Sequence, residues 1–298
     1  MGDNHPSMVN NAYIFSGQGA QAVGMGKVLF EKDSPGREIF LQANEILGFD
    51  LTKVCLEGPQ EELNRTDICQ PALLVHGLAM LRHYEAEHGS KSPEVAAGLS
   101  LGEYTAHVYA GSLSLEDGVR LVQKRGQYMQ EACDATPSGM ASIIGMKEDQ
   151  VAPCLEGDVG VANLNAPGQI VISGEKEALK AASAKCKEAG ARKVIPLRVA
   201  GAYHSVVMTP AAEKMKAELA EVAISSPRIP VYANYTATPL TDPEEIRSAL
   251  GNQVCGTVRW EASVRAMGAK NYFEFGPGKI LAGMIRRIDP DATVESIE

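Results

Sequence analysis

Along the chain, short unbroken apolar runs alternate with longer stretches in which apolar positions recur every three or four residues. Tyr13-Ile14-Phe15 and Val95-Ala96-Ala97 read as short buried strands. Each runs into a glycine-bearing turn, Ser16-Gly17-Gln18-Gly19-Ala20-Gln21 in one case and Gly98-Leu99-Ser100-Leu101-Gly102 in the other. Helical patterns are predicted over Lys27–Leu47, Gln60–Leu63, Ala72–Glu87, from Gly102 to Ala110, and over Leu115–Cys133. Alternation of this kind favours an α/β class.

The rhythm changes between Pro137 and Arg198. Strand-like Met140–Met146 is followed by helical Glu148–Leu155, strand-like Val159–Asn163 and Gln169–Ser173, helical Lys176–Ala189 and strand-like Arg192–Leu197. That order, β-α-β-β-α-β, is the ferredoxin-like pattern. Beyond it come helices near Pro210–Val222 and Asp242–Gln253, strands at Pro230–Asn234 and Tyr272–Phe275, and a last helix at Lys279–Arg287. The expected fold is therefore a larger α/β-hydrolase-like subdomain, residues 11–134 and 200–298, with a smaller ferredoxin-like subdomain, 135–199, inserted in it. Residues 1–10 form a polar lead.

Composition narrows the function. A net charge of −9 argues against a nucleic-acid binder, which needs a basic face. No apolar stretch reaches the roughly 18 residues of a membrane span, and the polar lead lacks the apolar segment of a signal peptide. The six cysteines are scattered with no C-x-x-C pair. This predicts reduced core thiols, no zinc site and a reducing, cytosol-like compartment. An organelle matrix such as the plastid stroma stays open if a transit peptide has been removed.

The chemistry centres on Gly98-Leu99-Ser100-Leu101-Gly102, a G-x-S-x-G between a strand and a helix. In that context the serine sits on a tight turn with its hydroxyl exposed, beside helix-terminal N–H groups able to hold an oxyanion. The other reading is a glycine-flanked helix cap. A nucleophilic serine needs a base, most often histidine. His107 shares a helix face with Ser100 but lies about 10 Å along the axis at ~1.5 Å per residue. His5 falls in the lead, His76 in an apolar run, and His83 and His88 at the polar end of its helix. Elimination leaves His204, in the small-residue loop Ala200-Gly201-Ala202-Tyr203-His204, with no aspartate standing out as a third member. On the 115–133 helix Arg125 could grip a carboxylate with two hydrogen bonds, with Met129 walling the same pocket. Periodicity alone favours a solvated Arg125.

Taken together these residues resemble the malonyl-CoA:acyl-carrier-protein transacylase family. The resemblance runs from Phe15 to about Ile288. It rests on Phe15–Gln21, Gln70-Pro71-Ala72-Leu73-Leu74, Gly98–Tyr104, Arg125-Gly126-Gln127-Tyr128-Met129-Gln130, Asn163–Gln169, Gly201–His204 and Gly276-Pro277-Gly278-Lys279, in that order. It implies Ser100 as the acylated nucleophile, His204 as its base and Arg125 as the partner of the malonyl carboxylate. It also implies backbone donors at Gln18 and Leu101 for the oxyanion, and a pocket lined by Gln70, Asn163, Asn165, Met129 and Tyr203. Malonyl-CoA and acyl carrier protein are the implied partners. A monomer is expected, and no cofactor or metal. Tyr203 favours malonyl, since relatives selecting methylmalonyl carry a small residue there. Three departures stand out: Leu99 replaces a common histidine, Ser16 a common proline, and Arg259 a glutamine whose carbonyl orients the histidine.

Two other readings share the elbow: a serine esterase or thioesterase, which would not need Arg125, and a polyketide-type acyltransferase acting on a different carrier. A silent carrier-binding module is disfavoured by the full set of reacting residues. An acidic carrier meeting an acidic chain needs a local basic patch. Arg192 and Lys193, with Lys180, Lys185 and Lys187, are one candidate and Arg286 with Arg287 a second, although a solvated face explains them equally well. Gly17–Ala22 matches a dinucleotide fingerprint, but the acidic residue expected about twenty positions on is missing.

Overall fold

The computed structural model describes residues 9–298. His5 and most of the polar lead lie outside them. The strands, in chain order, are β1 (Asn11–Phe15), β2 (Val95–Gly98), β3 (Ser138–Ile144), β4 (Val159–Ala166), β5 (Gln169–Glu175), β6 (Lys193–Pro196), β7 (Val231–Tyr232), β8 (Pro239–Leu240), β9 (Asn271–Phe275) and β10 (Thr293–Ile297). They form two sheets, one ordered β10-β9-β1-β2-β7-β8 and the other β4-β5-β3-β6.

The larger sheet is parallel except for its edge hairpin β7–β8. Helices cover both faces, which is why its central strands read as continuous apolar runs. Along β1, Ala12 and Ile14 face a cluster containing Trp260, Leu281 and Ile285. Tyr13 and Phe15 face the other side, with Ala106, Phe273 and Phe275. Beside it the Thr66–His88 helix is buried almost all round, the form a helix takes inside a large core.

The smaller sheet is antiparallel throughout, and its strand order is that of a ferredoxin-like unit. The Lys176–Glu188 helix covers one face around Ile143, Ile172 and Cys186. Met140 and Val171 point the other way and join the large core. The sheets are tied together at Val258: its amide donates to Ala162 O at 2.8 Å, and its carbonyl accepts from Leu164 N at 2.9 Å. The β4 edge of the small sheet is thereby held against a loop of the large subdomain.

Several boundaries differ from the sequence reading. The 27–47 pattern is broken into Lys27–Glu31 and Arg37–Leu47. Gly36 packs so tightly that a Cβ there would meet Ala79 O at 2.2 Å. The long helix starts at Thr66 rather than Ala72 and runs through Pro71, its sixth residue, where the ring removes the N–H that would bond to Asp67 O. Only one α-turn, Glu148–Val151, and a 3-10 turn occupy the 148–155 stretch. Helices at Leu51–Glu57 and Trp260–Met267, and the edge strand β10, carry too few periodic positions to be read.

The turn after β2 is packed backbone against backbone. A Cβ at Gly98 would lie 2.0 Å from Gly102 C and O, and one at Gly102 would lie 2.3 Å from Phe15 O. These neighbours are backbone and cannot move aside. Gly98→Ala is expected to lower unfolding free energy by about 3 kcal/mol. Gly160→Ala, at a site with nothing within 4 Å of the added carbon, is expected to stay within about 0.5 kcal/mol. Denaturant melts of the two variants test the comparison. Equal stability would mean that the turn is not the constraint described.

Candidate active site

Gln18 follows β1, Ser100 follows β2, and Asn234 follows β7. All three sit beyond the carboxyl ends of neighbouring parallel strands, where sites form in open α/β sheets. A cavity of about 870 Å³ opens there, between the two sheets. Ser100, His204, Gln18, Asn163, Asn165, Met129 and Tyr203 line it, and Arg198 and Ile280 are among the residues lining the rest.

Ser100 caps the Leu101–Ala110 helix with φ 52° and ψ −103°, a strained conformation for a residue with a side chain. The turn places Oγ 2.7 Å from His204 Nε2. His204 is also at positive φ, 56°. Its Nδ1 faces Gln253 O at 2.8 Å. That carbonyl can only accept, so Nδ1 carries the proton and Nε2 presents a lone pair to the serine hydroxyl. Among the described residues no carboxylate takes part in holding the ring. Leu101 is the first helical residue, so its N–H has no carbonyl within the helix and is left as a donor beside Ser100.

Arg125 is only 1% exposed. Its Nη1 donates to Gln70 Oε1 at 2.7 Å. Its Nη2 donates to Ser100 Oγ at 3.0 Å and to Gln253 Oε1 at 2.9 Å. Nε has no partner, and the guanidinium lies 5.6 Å from the centre of the Tyr104 ring. Periodicity put this residue on a solvated face. The core puts it inside, because the 115–135 helix presses on the start of the Thr66–His88 helix. Gly126 permits that contact, since a Cβ would meet Thr66 O at 2.4 Å. The glycine thus makes room for a neighbouring backbone.

Other residues fall into place around this pair. Gln70 lies behind the cavity as an acceptor for Arg125, and its Nε2 meets Met129 Sδ at 3.6 Å. Tyr203 is fastened through its hydroxyl to Thr66 Oγ1 at 2.9 Å, and Gln18 Nε2 reaches the same oxygen at 3.5 Å. Asn165 Oδ1 is buried without a partner. His76 and His107 are buried and do not line the cavity, and His107 Nδ1 pairs with Ser112 Oγ at 3.2 Å.

Arg259 is a correction. It was expected to orient His204, but its side chain is exposed. Its carbonyl accepts from Ser263 N and its amide donates to Asn234 O. The residue facing His204 is a glutamine, Gln253, six positions earlier, so the departure read at Arg259 concerned the wrong position. Gln253, Asn234, Glu103 and Thr66 were all missed. Glu103 lies within the Gly98–Tyr104 motif, where a charge three residues past the nucleophile is a usable signal. Gln253 and Asn234 carry no local signal. Arg192 and Lys193 are exposed on the small subdomain and do not line the cavity.

Burial, and after it the charge of Arg125, pushes His204 down to about 4, against the pull of its acceptor carbonyls. The ring is then neutral, and able to take a proton, well below the usual range. Reaction of Ser100 with a serine-directed electrophile is expected to stay level from about pH 8 to about pH 5. It should fall with a midpoint near 4, as protonation removes the lone pair on Nε2. A midpoint near the ordinary ~6.5 would show that burial does not control the ring.

The family model for the acyl transferase domain matches residues 12–274. The malonyl CoA-acyl carrier protein transacylase of Salmonella typhimurium is 41% identical over 97% of this chain and 96% of its own. The crystal structure of an acyl carrier protein S-malonyltransferase from Vibrio cholerae superposes with a TM-score of 0.93 at 39% identity, covering 97% of both chains. A type II PKS acyl-carrier protein in complex with its malonyl-transacylase matches with a TM-score of 0.92 at 37% identity, over 97% of this chain and 96% of that one. The hydroxyl held between an imidazole and a guanidinium therefore sits in a chain that belongs to the acyl transferase family.

Proposed function

We propose that the protein transfers a malonyl group from malonyl-CoA to the phosphopantetheine thiol of acyl carrier protein, supplying extender units for fatty acid synthesis. One observation carries the reading: a buried guanidinium donates to the same oxygen that faces the histidine. A serine hydrolase has no use for a cation there. An acyl group that ends in a carboxylate does.

The reaction runs in two halves. Ser100 Oγ attacks the thioester carbonyl carbon while His204 Nε2 takes the hydroxyl proton. The oxyanion is held by the amides of Gln18 and Leu101. The C–S bond breaks, and coenzyme A leaves as a thiol with the proton from His204. The carrier thiol then gives its proton to His204 and attacks the malonyl ester, and Ser100 leaves and is reprotonated. Every proton and electron pair has a place on the protein or the substrates, so the scheme uses no cofactor and no metal. Malonyl's free carboxylate takes over hydrogen bonds that Arg125 Nη2 makes to Ser100 Oγ and Gln253 Oε1, and the unpartnered Nε completes a two-point grip. Acetyl would leave that buried cation with neutral partners only and no counter-charge. Tyr203, Met129, Asn163 and Asn165 shape the walls, and Gln70 holds Arg125 from behind.

A monomer is the proposed working unit. The six cysteines are free, in keeping with a reducing, cytoplasm-like compartment. Among the described residues no helix is long and apolar enough to cross a membrane. The carrier approaches from the cavity mouth, where Arg198 stands, with Arg192 and Lys193 further out on the small subdomain. The carrier complex of the type II relative supports such a partner.

Intact-mass measurement after mixing with malonyl-CoA is expected to find a malonyl adduct, absent in Ser100→Ala, with little or no acetyl adduct from acetyl-CoA. Arg125→Ala should reduce the preference for malonyl over acetyl by about 100-fold. Steady release of coenzyme A with no adduct would sink the transferase reading in favour of a hydrolase. Reversing charge at Arg192 and Lys193 should raise KM for carrier several-fold at low salt and less at high salt; a salt-independent KM would exclude that patch.

A further inference from the structure

Glu103 has no part in the chemistry so far. It lies in the first turn of the Leu101–Ala110 helix and is fully buried. A buried carboxyl is costly unless it is hydrogen-bonded, so its partners indicate what it is kept for. Oε2 accepts from Asn234 N at 3.0 Å and from Gln253 Nε2 at 2.7 Å. These are the same two residues that hold the reacting groups. Asn234 Oδ1 accepts from Ser100 N at 2.6 Å, and its Nδ2 donates to Gly98 O at 2.8 Å. Gln253 Nε2 donates to Ser100 O at 2.8 Å, its Oε1 accepts from Arg125, and its main-chain oxygen faces His204 Nδ1.

One carboxyl oxygen thus joins the elbow helix, the segment after β7 and the end of the Pro243–Gln253 helix. Gln253 lies between a cation and an acid, with its amide oxygen toward Arg125 and its NH2 toward Glu103. Flipping the amide would set NH2 against the guanidinium and oxygen against oxygen, so the two charged residues together fix its orientation. The side chain is pinned at both ends, and the carbonyl of the same residue orients the base.

We infer that Glu103 is a positioning residue for acyl transfer, setting Ser100, His204 and Arg125 relative to one another through Gln253 and Asn234. The inference rests on the reading of Ser100 as the acylated residue. Burial raises the Glu103 carboxyl to about 7, while the bonds from Asn234 and Gln253 and the Arg125 charge pull it back. What Oε2 supplies is an acceptor in a fixed place. Oε1 lies 4.0 Å from His107 Nε2, and neither atom has a hydrogen-bond partner. Glu103→Gln therefore keeps the acceptor by turning its amide NH2 toward His107. Glu103→Ala removes it and leaves two donors unpaired.

The test is rapid-quench mass measurement of the malonyl adduct across malonyl-CoA concentrations. Glu103→Ala is expected to acylate about 100-fold more slowly, with half-saturation within about 3-fold of wild type, as for an interaction that counts only in the transition state. Glu103→Gln should recover the rate to within about 5-fold by keeping the hydrogen bonds. Gln253→Met keeps the carbonyl on His204 but cuts the side-chain links to Glu103, Arg125 and Ser100 O together. It must also slow acylation, and it keeps the inference open to refutation if Glu103→Ala does not fold. Wild-type rates in Gln253→Met, or in a folded Glu103→Ala, would overturn the inference, as would a Glu103→Gln as slow as Glu103→Ala. A wild type that forms no adduct would overturn the functional reading itself, and this one with it.

Discussion

Burying a guanidinium without a facing carboxylate is the constraint around which the rest of the site is arranged. Arg125 sits in the core, where an unpaired cation is costly. Its compensation is spread over neutral oxygens: Gln70 Oε1, Gln253 Oε1 and the hydroxyl of Ser100. The nearby acid, Glu103, is one amide away rather than in contact. A direct ion pair would have satisfied the arginine and left nothing for a substrate. Partial satisfaction by neutral groups keeps the cation in place yet available to a carboxylate, and it ties the guanidinium to the nucleophile.

The parallel sheet supplies the geometry this requires. Phe15 pairs with Gly98 across β1 and β2, so the turn bearing Gln18 and the turn bearing Ser100 leave the sheet side by side. β7 adjoins β2 and brings Asn234 to the same edge. The elbow can be this tight because its glycines let backbone touch backbone. Strain at Ser100 and His204 is held by these surroundings, which aim Oγ and Nε2 at each other.

The small sheet acts as the second wall. Its β4 edge is pinned to the large subdomain at Val258, which sets Asn163 and Asn165 on the cavity lining opposite the elbow. A wall held by main-chain hydrogen bonds keeps the cavity beside Ser100 and His204 open for an acyl thioester.

Much of this was legible in the chain. Central strands buried on both faces leave continuous apolar runs, and the elbow leaves its glycines at fixed spacing, because both are local consequences of backbone geometry. The order of elements in the small subdomain could be read for the same reason. Helix ends were less legible where a helix runs through a proline, as at Pro71, or where a single contact such as Gly36 against Ala79 O breaks a pattern. The burial of Arg125 could not be read from periodicity, because it depends on which helix packs against which. The same holds for the glutamine that orients His204: Gln253 is 49 residues from the ring it faces, and Arg259 looked equally suitable by sequence. Residue types and local turns were determined by the sequence itself; which polar groups share one buried space was decided only by the packing of distant segments.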